Sequence, residues 1–220
     1  MRWRLTKAFA VPALALAGWL VVPPAAAGQS VVDRIVARIG SEVITESDLT
    51  ELGRFQQLIG GKQQTGADRL RELGEQWIVA HEASLSGFTK PTAADVDKAC
   101  ADLARHFPSL PAYQARLKQL ALSPGDVRRL IGRQIFLSRY LDYRFRPEVQ
   151  VGEQQVESYY QKTLIPQLRH MGQAVPPLDR VEEQLRELLV QQGINRRAAL
   201  WLDQMQERWK VEKVEGNASP

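Results

Sequence analysis

Side chains of the types and spacings that acid–base or nucleophilic chemistry needs are few in this 220-residue chain. Two carboxylate pairs, Glu72 with Glu75 and Glu182 with Glu183, have the proximity from which a general acid and base can be built. Lys or Arg residues lie near both pairs on predicted helix faces, which favours solvated surface charge. The sequence contains no GxSxG, HExxH, P-loop or CxxC motif, and we expect neither an enzyme active site nor a bound cofactor.

The only cysteine, Cys100, and the histidine nearest to it do not predict an activated thiolate. His106 follows Cys100 by six residues and therefore points to a different side of the predicted helix, which favours a buried, inert thiol. His81 has no second ligand three or four residues away, which favours a packing or surface histidine over a metal site. A chain with one cysteine forms no internal disulfide, so its stability must come from packing.

Arginines are concentrated on the long helix predicted from Val127 to Phe145, with only Asp126 and Asp142 as acidic residues in the same stretch. The pattern is compatible with a stripe that faces anions, such as lipid headgroups or acidic client segments. We favour the alternative of ordinary solubility, in which the arginine stems cover apolar surface. The six arginines are Arg128, Arg129, Arg133, Arg139, Arg144 and Arg146.

Aromatic residues are also concentrated near the end of that long helix. Tyr140, Tyr143 and Phe145 lie there, and Phe107 and Tyr113 come close to them if the short helix over residues 109–122 folds back. Such a cluster is more often part of a core, but a groove that holds an apolar client would use the same residues. These five are the candidate client-binding residues.

The first elements that must position these side chains are predicted at residues 31–49. Val31–Ile39 alternates as a half-buried strand, with Ile35, Ala37 and Ile39 on one face. Gly40-Ser41 is typical of a tight hairpin turn, after which residues 42–44 return as a second strand. Because an isolated two-stranded hairpin is marginally stable, it needs a further strand or a helical platform.

Ser/Thr residues with Asp three positions later mark four predicted helix starts, at Thr45, Thr65, Thr92 and Ser123. Asp179 with Glu182 marks a fifth, related start. The chain is therefore predicted to be a series of discrete helices with short connections. The first helix has Leu49, Leu52, Phe55 and Ile59 on one stripe, and Leu200, Met205 and Trp209 of the last helical section are expected to pack inward against the helices that follow the hairpin.

Residues 1–27 have the features of a secretory signal peptide, with a basic start, an apolar run and a small-residue cleavage site before Gly28. The apolar run is too short for a spanning helix, so we expect a mature periplasmic protein without stable membrane insertion. Three of the 29 Lys and Arg residues lie in the signal, which leaves 26 against 25 Asp and Glu, or about +1. This near-neutral balance argues against nucleic-acid binding.

The mature region, residues 28–220, has the length of a single domain. Prolines punctuate residues 148–178, where only Glu153–Lys162 is predicted to be helical, and we interpret this stretch as a linker. The helix that follows leads to Val211–Glu215, a strand-like segment. This segment is a candidate third strand for the hairpin, and the predicted fold class is mainly α with a small antiparallel β-sheet (α+β).

The strand, the Gly-Ser turn, the run VITESDL and the amphipathic helix resemble the start of SurA-type periplasmic chaperones, relatives of the parvulin prolyl isomerases. The order of elements over the mature chain is similar to that core, with an N-terminal hairpin and helices (31–147) and a C-terminal helix and strand (179–215). The ending ALWLDQMQERWKVEKVE resembles the helix and strand that return to the N-terminal hairpin.

The resemblance implies an ATP-independent holdase for unfolded exported or outer-membrane proteins. It does not extend to catalysis, because residues 148–178 stand where relatives have one or more whole parvulin domains and are too few to form one. A prolyl isomerase with residual activity and a scaffold that binds one folded envelope partner remain open as alternatives. The client, the oligomeric state, including a homo-oligomer, and the groove's location also remain open.

Overall fold

A computed structural model describes residues 33–214 of the chain. The signal-peptide prediction for residues 1–27 lies outside the described residues. No helix between residues 33 and 214 is both long enough and apolar enough to cross a membrane. The strands are β1 (Ile35–Ile39), β2 (Glu42–Thr45) and β3 (Glu212–Lys213). The helices are α1 (Glu46–Leu58), α2 (Gly66–Leu85), α3 (Ala93–Arg105), α4 (Leu110–Gln119), α5 (Pro124–Phe145), α6 (Glu153–Tyr159), α7 (Ile165–His170) and α8 (Leu178–Arg208).

The predicted N-terminal hairpin is present, although its first strand begins at Ile35. Ala37 and Ile39 are buried while Arg38 is exposed, which is the alternation of a half-buried strand. Gly40 has a φ of +56°, a conformation that favours glycine, and it makes the tight turn into β2. Strand β2 pairs antiparallel with β1 and leads directly into α1.

The C-terminal segment supplies the third strand that the hairpin lacked. The sheet order is β2-β1-β3, and β3 is antiparallel to β1 with Ala37 opposite Lys213 and Arg38 opposite Glu212. The Val214 N–H also donates to the Val36 carbonyl oxygen at 3.0 Å. The predicted fold class, mainly α with a small antiparallel sheet and with the C-terminal helix and strand returning to the N-terminal hairpin, is confirmed.

Four of the five predicted helix starts are confirmed as capping boxes, in which a Ser or Thr side chain and an Asp side chain each accept from the other's backbone N–H. The fifth start was placed two residues too late, with Asp179 as the cap where the structure has Pro177. Helix α8 begins at Leu178, after Pro177, and has no side-chain cap. Pro177 fits this position because its fixed φ matches a helix start and it has no N–H to satisfy.

The larger core, which we call the sheet core, joins the inner face of the sheet to α1, α2, α5 and α8. Its buried residues include Ala37, Ile39, Ile78, Phe136, Ile194 and Trp201. The prediction that Leu200 packs inward was wrong, because Leu200 is 61% exposed and its neighbour Trp201 is buried. Trp209 packs against the core from the end of α8, and its ring lies 5.2 Å from that of Trp77 on α2.

The smaller core, which we call the helical core, lies between α1, α3, α4 and α5. Its buried residues are Phe55, Leu58, Val96, Leu117, Leu120, Leu122, Val127, Leu130 and Ile131. Ile59, predicted to share the buried stripe of α1, is instead 50% exposed, and Leu58 is buried in its place. Helix α1 ends at Leu58, so the next side chain leaves the helical register that would have carried it inward.

The interval 148–178 contains more helix than the sequence indicated. Helix α6 passes through a π-helical turn, Tyr160–Leu164, into α7, which continues past Pro166 to His170. The π turn changes the backbone pairing just before the proline, so a residue without an N–H fits at the start of the next segment. Val156, Tyr160 and Leu185 form a third buried cluster that packs this interval on α8.

Candidate client-binding groove

The structure divides the five candidate aromatic residues between the two cores. Phe107 and Tyr113 lie together on the helical core, with ring centroids 5.3 Å apart. Both are partly exposed, and they follow the end of α3 and the start of α4 respectively. Helix α4 folds back on α3, as expected, but it does not bring this pair to the end of α5.

Tyr140, Tyr143 and Phe145 lie on or near the sheet core. The ring of Phe88 lies 5.5 Å from Tyr140 and 5.3 Å from Tyr143. Tyr140 and Phe145 are 3% and 5% exposed, so their surfaces are already covered by the protein itself, whereas Tyr143 is 65% exposed. The five residues therefore do not form a single surface, and client binding by all of them together has no structural counterpart in residues 33–214.

An open apolar groove of about 570 Å³ lies between the end of α1 and one face of α3, and we call it the α1–α3 groove. Of the five candidates, Phe107 contributes to its wall. The remaining apolar lining comes from Leu58, Ile59, Ala99, Leu103 and Ile131, with Gly60, Asp102 and His106 completing the wall. The groove combines an apolar floor with two polar side chains at one side, the usual make-up of a binding cleft.

Local sequence features explain why this groove is open. Gly60 has a φ of +72°, so the chain turns sharply away from α1 as soon as that helix ends. This turn leaves Ile59 at the rim with half of its side chain exposed.

Ion pairs hold α3 in place on the rest of the helical core. Arg139 on α5 donates to Asp95 at 2.9 Å, and Arg128 pairs with Asp97. The hydrogen bonds from Arg139 and Thr92 hold the pKa of Asp95 far below its usual value. The Asp95 carboxylate that caps α3 therefore also connects α3 to α5. This contact helps to position the α3 wall of the groove relative to α5.

The titratable groups around the groove do not form a reactive centre. The carbonyl oxygen of Asp102 lies 2.8 Å from His106 Nδ1, and the Asp102 carboxylate pairs with Arg105. Cys100 packs against the helical core but is only partly buried, not fully buried as the sequence favoured, and this burial raises the pKa of its thiol. A raised pKa keeps the sulfur protonated at neutral pH, so it is a poor nucleophile, in agreement with the inert thiol that the sequence favoured.

The arginines of α5 are engaged within the protein, which supports the interpretation that they serve folding and solubility. Besides the pairs with α3, Arg129 pairs with Glu51, and Arg146, the residue that follows α5, contacts Glu187 at 2.7 Å. The Arg144 guanidinium lies over the rings of Phe145 and Trp201 at 5.3 and 5.2 Å. Burial lowers the pKa of Arg133, whose stem is covered by the surrounding helices.

The carboxylates and the histidine of α2 also have structural partners. Glu72 accepts from the side-chain amides of Gln56, Gln64 and Gln76 at 2.8 to 3.0 Å. His81 stacks on Trp77 with ring centroids 4.7 Å apart. No group of three or more His, Cys, Asp or Glu side chains within residues 33–214 is arranged to hold a metal ion.

Sequence reasoning missed most of the groove, because it assigned Ile59 to the core and gave Asp102 and Ile131 no role at a surface. The Gly60-Gly61 pair was the available signal, since an apolar residue directly before a glycine turn is poorly placed for burial. Comparison of the sequence with protein-family models and with characterised proteins finds no match.

Proposed function

We propose that this protein is an ATP-independent chaperone of the periplasm that holds unfolded exported or outer-membrane proteins. The open α1–α3 groove is the observation that carries the proposal, because it exposes apolar surface beside helices whose Arg128, Arg129 and Arg139 are held in ion pairs. The resemblance to SurA-type chaperones supplies the class of client. The predicted signal peptide supplies the compartment.

The energetics of such a groove suit a holdase that works without a nucleotide. Burial of about 400 Å² of apolar client surface contributes about 10 kcal/mol at about 25 cal/mol per Å². Association and side-chain ordering cost at least several kcal/mol of this. At most about 6 kcal/mol remains, a Kd of tens of micromolar or weaker, so a client binds, dissociates unaided and has repeated opportunities to fold.

The proposal does not include prolyl isomerisation. Residues 148–178 contain short helical segments that pack on α8 through Val156, Tyr160 and Leu185, and this interval is below the roughly 40 residues that an unstapled domain needs. The purified protein should leave cis/trans exchange of a short X-Pro peptide at its slow uncatalysed rate. Clear turnover at catalytic concentrations would make the isomerase alternative the better one.

Suppression of aggregation tests the holdase function and its site together. At a molar ratio near one and without ATP, the mature protein should reduce light scattering by a denatured outer-membrane-type client. Ile59→Asp should abolish most of this effect, because it puts a carboxylate in the apolar rim. Leu85→Asp is the matched control, since Leu85 is 69% exposed at the end of α2 and does not line the groove.

Unchanged scattering with several unrelated clients at tenfold excess would contradict the holdase proposal. In that case the scaffold alternative gains, and crosslinking in the native envelope decides it. Capture of many unfolded exported chains supports the holdase, whereas capture of one stoichiometric folded protein supports the scaffold. Equal activity of the Ile59→Asp and Leu85→Asp variants would place client binding elsewhere.

A further inference from the structure

The outer edge of β3 has unpaired backbone groups that face away from the rest of the sheet. Within residues 33–214, β1 is the only strand that pairs with β3. The Val214 N–H points to Val36 of β1, and Glu212 lies opposite Arg38 in the same register. Because main-chain groups of an antiparallel strand alternate in direction, those of Val211 and Lys213 point outward.

A groove of about 460 Å³ lies beside this edge, between α2, the end of α8 and the β3 segment. On α2 its wall consists of Ala67, Leu70 and Gly74, which are spaced three and four residues apart and so share one helix face. A Cβ on Gly74 would lie 2.8 Å from the Val211 side chain, so the glycine lets the β3 segment approach α2. Leu70 and Gly74 are themselves buried, so the room for one more strand lies along the open edge, beside the exposed Ala67 and the partly exposed Trp209.

The charges around this groove are unbalanced in favour of cations. Lys210 and Lys213 line it and take part in no ion pair within the described part of the chain. Glu75 is the lining carboxylate, and it is already occupied, because it accepts from Gln206 at 3.2 Å and lies 4.0 Å from Arg71. An incoming acidic side chain would therefore find two free ammonium groups.

We propose that the outer edge of β3 binds an extended polypeptide segment as a fourth strand. The segment has apolar and acidic side chains alternating on the face that meets α2. Its backbone pairs with the outward groups of Val211 and Lys213, and its apolar side chains enter the groove beside Leu70 and Trp209. Its carboxylates pair with the two lysines.

The lysines also explain why the occupant is a different chain and not a second copy. Edge-to-edge pairing of two β3 strands would bring Lys210 and Lys213 of both copies together, and lysine at an edge discourages such self-pairing. The inference rests on the proposed function, since it names the kind of client segment that the chaperone recognises. The edge of β3 would give the client a second binding surface, distinct from the α1–α3 groove.

Fluorescence anisotropy with a defined peptide tests the proposal. The probe is a fluorescein-labelled decapeptide with threonine at every second position and alternating valine and glutamate between them. The mature wild-type protein should bind it at least about tenfold more tightly than the same peptide with lysine in place of glutamate. N-methylation of the backbone nitrogens that pair with the edge should weaken binding by a similar factor, because it removes hydrogen-bond donors without changing charge.

Two variants separate the backbone contribution from the charge contribution. Lys213→Pro removes the outward N–H while leaving the bonds of Glu212 and Val214 to β1, and an edge strand tolerates proline at such a position. It should weaken probe binding about tenfold, and Lys213→Ala, which loses only the charge, should have a smaller effect. A thermal melt checks that the sheet is intact in Lys213→Pro. If that variant melts at a lower temperature, the backbone contribution is judged from the binding of the N-methylated probe to the wild-type protein.

Several outcomes would overturn the inference. They are equal binding of the glutamate and lysine probes, no effect of N-methylation, and self-association of the wild-type protein that competes with the probe. If wild-type protein suppresses client aggregation but does not bind the probe, this inference is wrong and the holdase proposal stands. If it binds the probe but suppresses no aggregation, the edge is a peptide site and the holdase proposal is wrong.

Discussion

The two main cores differ in how far apart along the chain their members lie. The helical core draws its buried residues from positions 55 to 131, and an ion pair beside it, Arg129 with Glu51, spans 78 residues. The sheet core runs from Ala37 to Trp201 and is completed by Val211, which packs on it beside β3. The helical core therefore forms within the N-terminal part of the described chain, whereas the sheet core requires that the two ends of the described chain meet.

Because of this difference, the stability of the fold and the access of a client to the protein depend on different regions. The entropy of closing a long loop grows only slowly with its length, so the sheet core is little penalised by distance once it is packed. Its closure clamps α2, α5 and α8 around one buried centre. The helical core is closed within residues 51–131, and the α1–α3 groove opens on its surface. We expect stability to depend mainly on the first region and client binding mainly on the second.

The largest predicted effect breaks the sheet core at its C-terminal closure. Deletion of residues 210–220 removes β3 and leaves the hairpin with two strands, which are marginal on their own. The free energy of unfolding should fall by several kcal/mol, a large part of the stability of an ordinary domain. A thermal melt of the truncated protein beside the full mature chain measures this. An unchanged midpoint would mean that the ends contribute nothing to the core.

A matched pair of aromatic truncations compares the two cores directly. Trp201→Ala should destabilise the protein by about 3 kcal/mol or more, because it empties a buried site in the sheet core. Phe107→Ala removes a partly exposed ring at the groove and should cost about half as much or less. Urea denaturation gives both values. Equal losses would show that the helical core is as critical to stability as the sheet core.

A smaller effect is expected from the cap of α3. Thr92→Ala removes the side chain that accepts from the Asp95 N–H and should cost about 1 kcal/mol. The change acts on the helical core alone, so α2 and α8 should keep their protection in hydrogen exchange while the first turn of α3 loses it. Thr92→Ser is the control, because serine caps equally well. Loss of protection throughout the sheet core would contradict the separation of the two regions.

The smallest predicted effect is a pH dependence at the junction of α5 with α8. Hydrogen bonds from Arg146 and Gln191 lower the pKa of Glu187 to about 2. Because this pKa is lower in the folded state, the pair contributes stability above the ordinary pKa of 4.5, and the contribution is lost as pH falls towards 2. The contact is exposed, so the drop in melting midpoint over this range should be small.

Glu187→Gln is the control for that titration, since it keeps the size of the side chain and cannot ionise. The part of the midpoint shift that belongs to Glu187 is the difference between the wild-type and variant curves from pH 4.5 to 2. Parallel curves would show that the ion pair contributes no measurable stability.

The sequence predicted features that depend on neighbouring residues and missed those that depend on distant ones. The capping boxes at Thr45, Thr65, Thr92 and Ser123 were found because each is a complete interaction within four residues. The return of β3 to the hairpin was found because both segments lacked strand partners, and backbone groups that are buried must be paired.

The errors share a different cause. Periodicity assigned Ile59 and Leu200 to buried stripes, but the end of α1 and the packing of Trp201 decided which side chains turn inward. The five aromatic residues share a type, yet sequence alone could not show that Phe88 joins two of them to the sheet core while Phe107 stays at the α1–α3 groove. Shape at a surface arises from contacts between elements, which periodicity within one element does not encode.

The antiparallel pairing of β1 with β3 also determines how the protein responds to a pulling force. Val36 and Val214 lie at the same end of the paired strands, so the chain leaves the described fold from that end on both sides. Tension applied between the two ends loads the hydrogen bonds one after another, as in a zipper, and does not shear them together. The sheet core should therefore open at low force, from the Val214 N–H inward, while the helical core is still folded.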